Sequence, residues 1–179
     1  MHAQRRSLLL LIVLGGSAVL GSYVLAFVVE PAIRAGLWGG IPEGGMRSFY
    51  TTNMFLAAAS FFPTTWLLGF ATQPEDMRAR TGLPFETMLG AYAAILMPSA
   101  LWLPLTALYI REPSALLWLG IRIDLFAVGL GATLLGWMAF RRARGGRGIE
   151  RVAAATFFFF WLQTMVLDAL VWPWYYPTA

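Results

Sequence analysis

The chain has 179 residues, of which 59% are hydrophobic and only 12% are charged. Soluble domains typically carry roughly 25% charged residues, so the composition excludes an ordinary soluble domain and predicts a protein embedded in lipid. No cysteine is present, which excludes disulfides, thiolate metal sites and cysteine nucleophiles. The net charge of +4 comes entirely from arginines that flank apolar runs, so we expect contacts with membrane lipids and none with nucleic acid.

Five apolar runs reach the length of about 20 residues that a helix needs to cross a bilayer. They predict an all-α fold for the single domain 1–179, a bundle of five transmembrane helices at residues 7–29, 50–71, 87–110, 114–140 and 152–172. The first run exceeds the roughly 7–15 apolar residues of a secretory signal, so we expect it to be retained. Continuous hydrophobicity, without alternation, disfavours transmembrane strands.

The arginine distribution predicts the orientation of this multi-pass protein. Nine arginines fall on one side of the five predicted spans, at positions 5, 6, 78, 80, 141, 142, 144, 147 and 151, and three fall on the other, at positions 34, 47 and 111. Because arginines accumulate on the cytoplasmic side, we expect a cytoplasmic N-terminus and an external C-terminus. The expected location is a bacterial inner membrane.

The first external loop, Glu30–Phe49, is about twenty residues long and rich in glycine. Such a length is unusual for a connection, and two interpretations remain open. The loop is either a flexible linker or a lid over the outer end of the bundle, with Trp38 and Ile41 packing inward.

Prolines and small residues predict where the helices bend or approach one another. Pro63 in the second span, and Pro98 and Pro104 in the third, each remove a helical hydrogen bond and favour kinks or a widened helix. Small residues spaced by four positions, in Ser17–Gly21 and Ala132–Gly136, permit close helix contact. The spacing fits a homodimer and packing within one chain equally well.

Three ionisable residues lie inside predicted spans: Arg122, Asp124 and Asp168. Charges at membrane depth are costly and are candidates for functional sites. Arg122 and Asp168 fall near the same outer surface, so we expect an ion pair between the fourth and fifth spans. Asp124 lies on the opposite face from Arg122, because two residues correspond to a rotation of about 200°. These charges either hold helices together or contact a ligand or a proton.

Other polar and aromatic residues fall in the same outer half of the bundle. They are Asn53, Trp102, Thr106, Tyr109, Trp118 and Gln163. Together with Arg122, Asp124 and Asp168 they form the candidate ligand-binding set of an aromatic-lined cavity that opens outward beneath the loop. Tryptophan and tyrosine near helix ends also serve as interfacial anchors, so each aromatic residue has that second interpretation.

The sequence gives no positive case for catalysis. His2 is the only histidine, which disfavours a histidine base, a haem ligand or a histidine metal site. No serine has the context of a nucleophile elbow. We therefore expect a protein that is not an enzyme and has no metal site.

Two segments resemble the translocator protein family, also called tryptophan-rich sensory proteins. The segment 61–66, Phe-Phe-Pro-Thr-Thr-Trp, is similar to the family's second-helix pattern Phe-Pro-x-x-Trp, and 100–104, Ala-Leu-Trp-Leu-Pro, is similar to its third-helix pattern x-Leu-Trp-x-Pro. The eight tryptophans also fit. The first loop departs from the family, because Glu30–Phe49 has one tryptophan and no lysine. The resemblance implies a five-helix membrane protein with a long first loop over a pocket for porphyrins, sterols or synthetic ligands.

Two functions from different classes remain. The first is binding of a hydrophobic or amphipathic small molecule, such as a tetrapyrrole, a sterol-like molecule or an isoprenoid lipid, with stacking on Trp102, Trp118 and Tyr109 and an anionic group at Arg122. The second is a non-catalytic accessory or assembly subunit whose polar intramembrane groups contact a partner membrane subunit. A transporter is disfavoured, because no inverted repeat is present.

Overall fold

The structure, a computed structural model, describes residues 3–29 and 31–176. His2, Glu30 and residues 177–179 lie outside these ranges. The described chain is helical and contains no strand. Its helices are α1 (Ala3–Val29), α2 (Pro31–Leu37), α3 (Gly45–Thr65), α4 (Met77–Thr81), α5 (Phe85–Arg111), α6 (Ala115–Ala143), α7 (Gly148–Trp161) and α8 (Trp172–Tyr175). A first π-helical segment, Trp66–Phe70, continues α3, and a second, Leu162–Val171, joins α7 to α8.

Four helices are long and apolar enough to cross a membrane: Ala3–Val28, Phe85–Arg111, Ala115–Ala143 and Gly148–Tyr175. They correspond to the first, third, fourth and fifth predicted spans, and they indicate a membrane protein. The second predicted span, 50–71, lies in α3 and its π-helical continuation but is not among the four. Its hydropathy is lowered by polar residues, namely Thr51, Thr52, Asn53, Ser60, Thr64 and Thr65.

The prolines inside the helices differ in their effect on helix geometry. Pro63 lies inside α3 shortly before the first π-helical segment, so the widened helix predicted for this span is present. Pro98 and Pro104 lie inside α5, which remains α-helical throughout. The second π-helical segment was not predicted. It ends at Val171, shortly before Pro173. Proline has no backbone N–H to donate, and its ring crowds the preceding turn of the helix.

The core consists of two hydrophobic clusters stacked along the helix axes. We name the end of the bundle beside the loop between α1 and α3 the outer end and the opposite end the inner end. The inner cluster includes Tyr92, Phe85 and Phe157 as its largest fully buried side chains. The outer cluster combines aliphatic side chains with buried aromatic ones, among them Tyr109 and Trp172. The outer half of the bundle is therefore packed with rings that come from both the helices and the C-terminal segment.

Glycines on α6 allow its neighbours to approach closely. A Cβ atom added at Gly131 would lie 2.9 Å from the carbonyl oxygen of Ala91 in α5, and one added at Gly129 would lie 2.7 Å from the sulfur of Met165. Both distances are shorter than an ordinary van der Waals contact. Helix α6 is thus held between α5 on one face and the second π-helical segment on another.

The first loop packs onto the outer end of the bundle. Ile41 is only 1% exposed, and the ring of Trp38 lies 6.3 Å from that of Tyr50 in an edge-on contact. The indole nitrogen of Trp172 donates to the carbonyl oxygen of Leu37 at 2.8 Å. Of the two interpretations of this loop, the described part has the geometry of the lid, with Trp38 and Ile41 directed inward.

A buried arginine fastens the opposite end of the bundle. Arg142 is 6% exposed; its Nε atom donates to the hydroxyl of Thr72 and its Nη2 atom to the carboxylate of Glu150, both at 2.8 Å. The second carboxylate oxygen of Glu150 accepts from the backbone nitrogen of Arg147 at 2.8 Å. Arg5 donates to the carbonyl oxygen of Thr72 at 3.2 Å. These bonds join the beginning of α1, the segment after α3, the end of α6 and the beginning of α7.

The Arg142 network predicts a local loss of stability. Replacement Arg142→Met keeps the apolar stem but removes the charged donor from Thr72 and Glu150, so we expect the free energy of unfolding to fall by about 1.5–3 kcal/mol. The exposed Arg151 provides a matched control, and Arg151→Met should change stability by less than about 0.5 kcal/mol. Unfolding in mild detergent measures both, and equal losses would contradict a specific role for Arg142.

Candidate functional site

A groove of about 880 Å³ runs along the flank of α6. Most of its lining comes from one face of that helix, and Tyr109 and Pro113 close its outer end. The principal α6 residues are Ala115, Trp118, Leu119, Arg122, Phe126 and Leu130. We call this feature the α6 groove. It lies opposite the face of α6 that is buried in the core, so it opens sideways and not toward the loop.

Arg122 is the charged side chain of the groove. It is exposed, and its guanidinium carbon lies 6.0 Å from the centre of the Phe126 ring, one turn further along the helix. Helix α6 begins after Ser114, whose hydroxyl accepts from the backbone nitrogen of Leu117 at 3.2 Å. Arg122 lies seven residues after Ala115, or about 10 Å along the helix axis. The groove therefore combines apolar walls with one cation well below the helix end.

Aromatic side chains fill the space beneath the loop, where the sequence predicted a cavity. The groove that the structure contains lies along α6 instead. The ring of Tyr176 stacks on Trp118 at 5.5 Å between ring centres and lies 4.4 Å from Trp172. Tyr109 lies 5.4 Å from Trp118. The backbone nitrogen of Gly40 in the loop donates to the carbonyl oxygen of the residue before Tyr176 at 2.8 Å. The C-terminal segment thus occupies the space that sequence reasoning left open.

Tyr176 is a neutral member of this aromatic packing. Burial raises the pKa of its phenol to about 12, and the neighbouring Tyr109 contributes to the shift in the same direction. The hydroxyl therefore stays protonated at physiological pH. Tyr109 and Trp118 connect this packing to the mouth of the α6 groove, because both residues also line it.

The predicted ion pair between Arg122 and Asp168 does not form. Asp168 accepts a hydrogen bond from the side chain of Gln163 at 2.8 Å, whereas Arg122 lies over Phe126. The physical reason is the π-helical segment that contains both Gln163 and Asp168. Residues five apart are brought into register in a π-helix, while an α-helix would rotate them about 140° apart.

Gln163 forms the centre of a buried polar chain. Its side-chain oxygen accepts from the amide of Asn53 at 3.0 Å, and the same amide of Asn53 also donates to the carbonyl oxygen of Phe159 at 3.1 Å. Tyr50 donates to the carbonyl oxygen of Leu167 at 2.8 Å. These bonds tie α3 to α7 and the second π-helical segment. Asn53, Gln163 and Asp168 therefore have partners within the protein. They hold helices together, which is one of the two roles that the sequence left open for polar groups at this depth.

The remaining candidates, Trp102, Thr106 and Asp124, have no such partners. The indole nitrogen of Trp102, the hydroxyl oxygen of Thr106 and one carboxylate oxygen of Asp124 are buried without a hydrogen bond. Arg122 is exposed while Asp124 is buried, as expected for opposite faces of α6. The nine predicted residues thus separate into three groups: Tyr109, Trp118 and Arg122 at the groove, Asn53, Gln163 and Asp168 in the polar chain, and these three on α5 and α6, where the ring of Trp102 contacts those of Tyr23 and Trp172.

Sequence reasoning missed the apolar walls of the groove. Leu119 and Phe126 flank Arg122 at positions three before and four after it, a spacing that places them on one helix face. The sequence alone could have shown this, because residues three or four positions from an arginine on a helix lie on the same face as the arginine. It was overlooked because Leu119 and Phe126 carry no polar atom, and the candidate residues were chosen for a polar atom at membrane depth.

No further chemical group or relative identifies the site. Among residues 3–29 and 31–176, no cluster of three or more histidine, aspartate or glutamate side chains could hold a metal ion. Comparison of the chain with protein-family models, curated proteins and solved structures gives no match. The function must therefore be argued from the geometry of the site.

The corrected pairing of Asp168 can be tested by double-mutant cycles. The losses from Arg122→Leu and Asp168→Leu should add within about 0.5 kcal/mol, because these side chains do not interact. Gln163→Leu and Asp168→Leu should be coupled by about 0.5–3 kcal/mol, because either change alone leaves a buried polar partner behind. Unfolding in detergent gives both coupling energies, and coupling of Asp168 to Arg122 alone would contradict the assignment.

Proposed function

We propose that this protein binds an amphipathic small molecule with an anionic group in the α6 groove. The observation that carries the proposal is an exposed arginine about 10 Å down a membrane-spanning helix, set in an otherwise apolar groove. A charge at this depth is costly without a partner, and no carboxylate of the described residues pairs with Arg122. An anionic group from outside the protein would offset that cost.

The groove indicates the class of ligand. Its volume of about 880 Å³ lies within the range of roughly 300–1,000 Å³ that is common for small-molecule sites. Leu119 and Leu130 offer apolar contacts, Trp118 and Phe126 offer rings for stacking, and Arg122 offers paired donors for a carboxylate or phosphate. Because the groove opens sideways, the ligand would enter from the bilayer. A tetrapyrrole with propionate groups or an anionic isoprenoid lipid fits this description.

The resemblance to the translocator protein family supports the same class of ligand. Its two segments lie on helices of the bundle, with Pro63 near the end of α3, Trp66 at the start of the first π-helical segment, and Trp102 and Pro104 in α5. The proposed site nevertheless depends on α6, which neither segment includes. Kinship with that family is therefore a separate proposal, and the binding proposal does not require it.

A pair of arginine variants tests binding at the groove. An anionic porphyrin should quench tryptophan fluorescence saturably in the detergent-solubilised protein, because Trp118 lines the groove. Arg122→Gln should raise the dissociation constant roughly ten- to hundredfold through loss of a charge-assisted bond. Arg78→Gln, which removes the same charge from exposed α4, should leave it nearly unchanged.

Equal weakening by the two variants would indicate nonspecific attraction between a basic protein and an acidic molecule. Quenching that does not saturate would likewise contradict a defined site. Either result would favour the second function, that of an accessory subunit.

We propose further that α3 and its π-helical continuation form a fifth span. Together they cover 26 residues, Gly45–Phe70, which corresponds to about 39 Å of helix if α-helical rise is assumed and exceeds the bilayer core of about 30 Å. Five spans and the nine-to-three arginine distribution support a cytoplasmic N-terminus, an external C-terminus and insertion in a bacterial inner membrane.

Reporter fusions test the number of spans and the orientation together. With five spans, a reporter after Ala179 should be active only outside the cytoplasm, and one before Met1 only inside it. With four spans both termini would lie on the same side. Two reporters with the same location would therefore contradict the fifth span, and two reversed locations would contradict the orientation.

The accessory-subunit function has one observation in its favour. Ser17 and Gly21 on α1 face outward, and a Cβ atom added at Gly21 would meet nothing within 4 Å. By contrast, Ala132 is fully buried and Gly136 faces Phe157 within the chain. Small residues on an exposed helix face allow a partner helix, or a second copy, to approach. Copurification of a stoichiometric protein instead of a small molecule would support this alternative.

A further inference from the structure

Three polar atoms on α5 and α6 have no hydrogen-bond partner among the residues that the structure describes. They are the indole nitrogen of Trp102, the hydroxyl oxygen of Thr106 and a carboxylate oxygen of Asp124. Thr106 is fully buried and Asp124 is 8% exposed. Buried polar atoms are almost always bonded to protein or to water. By comparison, the hydroxyl of Thr65, also in a helix, donates to the carbonyl oxygen of Phe61 at 2.8 Å.

Asp124 faces α5. Gly131 marks the α5-facing side of α6, because a Cβ atom there would lie 2.9 Å from the carbonyl oxygen of Ala91. Asp124 precedes Gly131 by seven residues, which is almost two full turns, so the two share a face. Arg122, two residues earlier, lies on the other side of the helix in the α6 groove.

Depth along the helices brings the three groups to one region. The antiparallel helices α5 and α6 pair Tyr109 with Trp118 near the loop, at 5.4 Å between ring centres. The other fixed point is the close approach of Gly131 in α6 to α5 near Ala91 and Ile95. Counting residues along both helices between these two points puts Asp124 level with Trp102. Thr106 lies one turn nearer the loop on the same face of α5 as Trp102.

The chemistry of the three groups defines what they can bind. An indole N–H only donates, an ionised carboxylate only accepts, and a hydroxyl does both. A metal cation would have no use for the indole donor, and an anion would be repelled by the carboxylate. A hydroxyl group satisfies all three, because its oxygen accepts from the indole of Trp102 and from the hydroxyl of Thr106 while its proton is donated to Asp124.

We infer that Trp102, Thr106 and Asp124 form an internal site that binds hydroxyl groups between α5 and α6. The hydroxyl belongs either to resident water or to the alcohol head of a molecule dissolved in the membrane. The site is separate from the α6 groove, because Asp124 and Arg122 face opposite sides of α6. It therefore does not depend on the anionic ligand proposed for the groove.

The inference is tested by whether Thr106→Val lowers or raises the melting temperature. If the site is occupied, Thr106→Val removes a bond to the guest and should lower the melting temperature by about 2–4 °C. If the hydroxyl is truly unpaired, the same change removes a buried unsatisfied group and should raise the melting temperature, which would overturn the inference. Thr64→Val is the matched control, because Thr64 is fully buried and donates to the carbonyl oxygen of Ala153 at 2.9 Å. It should lower the melting temperature in either case.

Addition of n-octanol distinguishes the two sources of the hydroxyl. If the site takes an alcohol head, octanol should raise the melting temperature of the wild-type protein more than that of Thr106→Val. If water alone occupies the site, octanol should affect both equally while Thr106→Val remains the less stable protein.

A direct measurement remains available if Thr106→Val does not fold. In protein labelled with ¹⁵N-tryptophan, the indole proton of Trp102, assigned by its loss in Trp102→Phe, should show nuclear Overhauser contacts with water or with octanol. An indole proton with neither contact would overturn the inference. Arg122→Gln should leave this signal in place, so failure of the groove proposal would not be mistaken for failure of the internal site.

Discussion

A polar side chain inside a bilayer has no water to bond, so it must find its partner within the protein. This constraint bears on α3, which we propose as the fifth span. Its hydroxyls and amides lower its hydropathy, and they are also the groups that join it to the bundle: Thr64 donates to the carbonyl oxygen of Ala153, Thr65 bonds the hydroxyl of Tyr92 at 2.8 Å, and Asn53 bonds the polar chain. A helix that is too polar to face lipid on all sides becomes stable when its polar face meets its neighbours.

The same constraint separates the two faces of α6. Arg122 and Asp124 are two residues apart, so the helix turns them in nearly opposite directions, one into the groove and the other toward α5. Each charge is therefore surrounded by a different environment. The arginine has apolar and aromatic walls that open sideways, while one carboxylate oxygen of Asp124 is buried and has no hydrogen bond among the described residues.

The sequence predicted the features that depend on hydropathy and on α-helical periodicity. Helices α1, α5, α6 and α7 lie where apolar runs were found, and the opposite burial of Arg122 and Asp124 follows from a 100° turn per residue. The prediction failed where the helix is not an α-helix. The π-helical register brings Gln163 to Asp168, and no periodicity argument that assumes 3.6 residues per turn could anticipate this pair.

The outer cavity was mispredicted for a different reason. Hydropathy places Trp118 and Tyr109 at the right depth but does not state what fills the space between them. The C-terminal Tyr176, which no local pattern connects to these two residues, packs into the outer cluster. Tertiary packing of a terminal segment against a distant helix pair depends on the whole fold and is not encoded in local patterns.

The loss of the expected ion pair changes what Arg122 is available to do. Had Asp124 been three or four residues away, the two would have shared a face and could have neutralised one another. The only other carboxylate inside a predicted span, Asp168, is bound by Gln163. Asp168 is thus bonded to Gln163, and the two-residue spacing turns Asp124 away from Arg122. Among the described residues no carboxylate pairs with Arg122, whose guanidinium lies over Phe126. Because an arginine that has lost its internal partners still has to offset its desolvation, the side of α6 that faces away from the core is where an external anionic group would lower the free energy of the protein most.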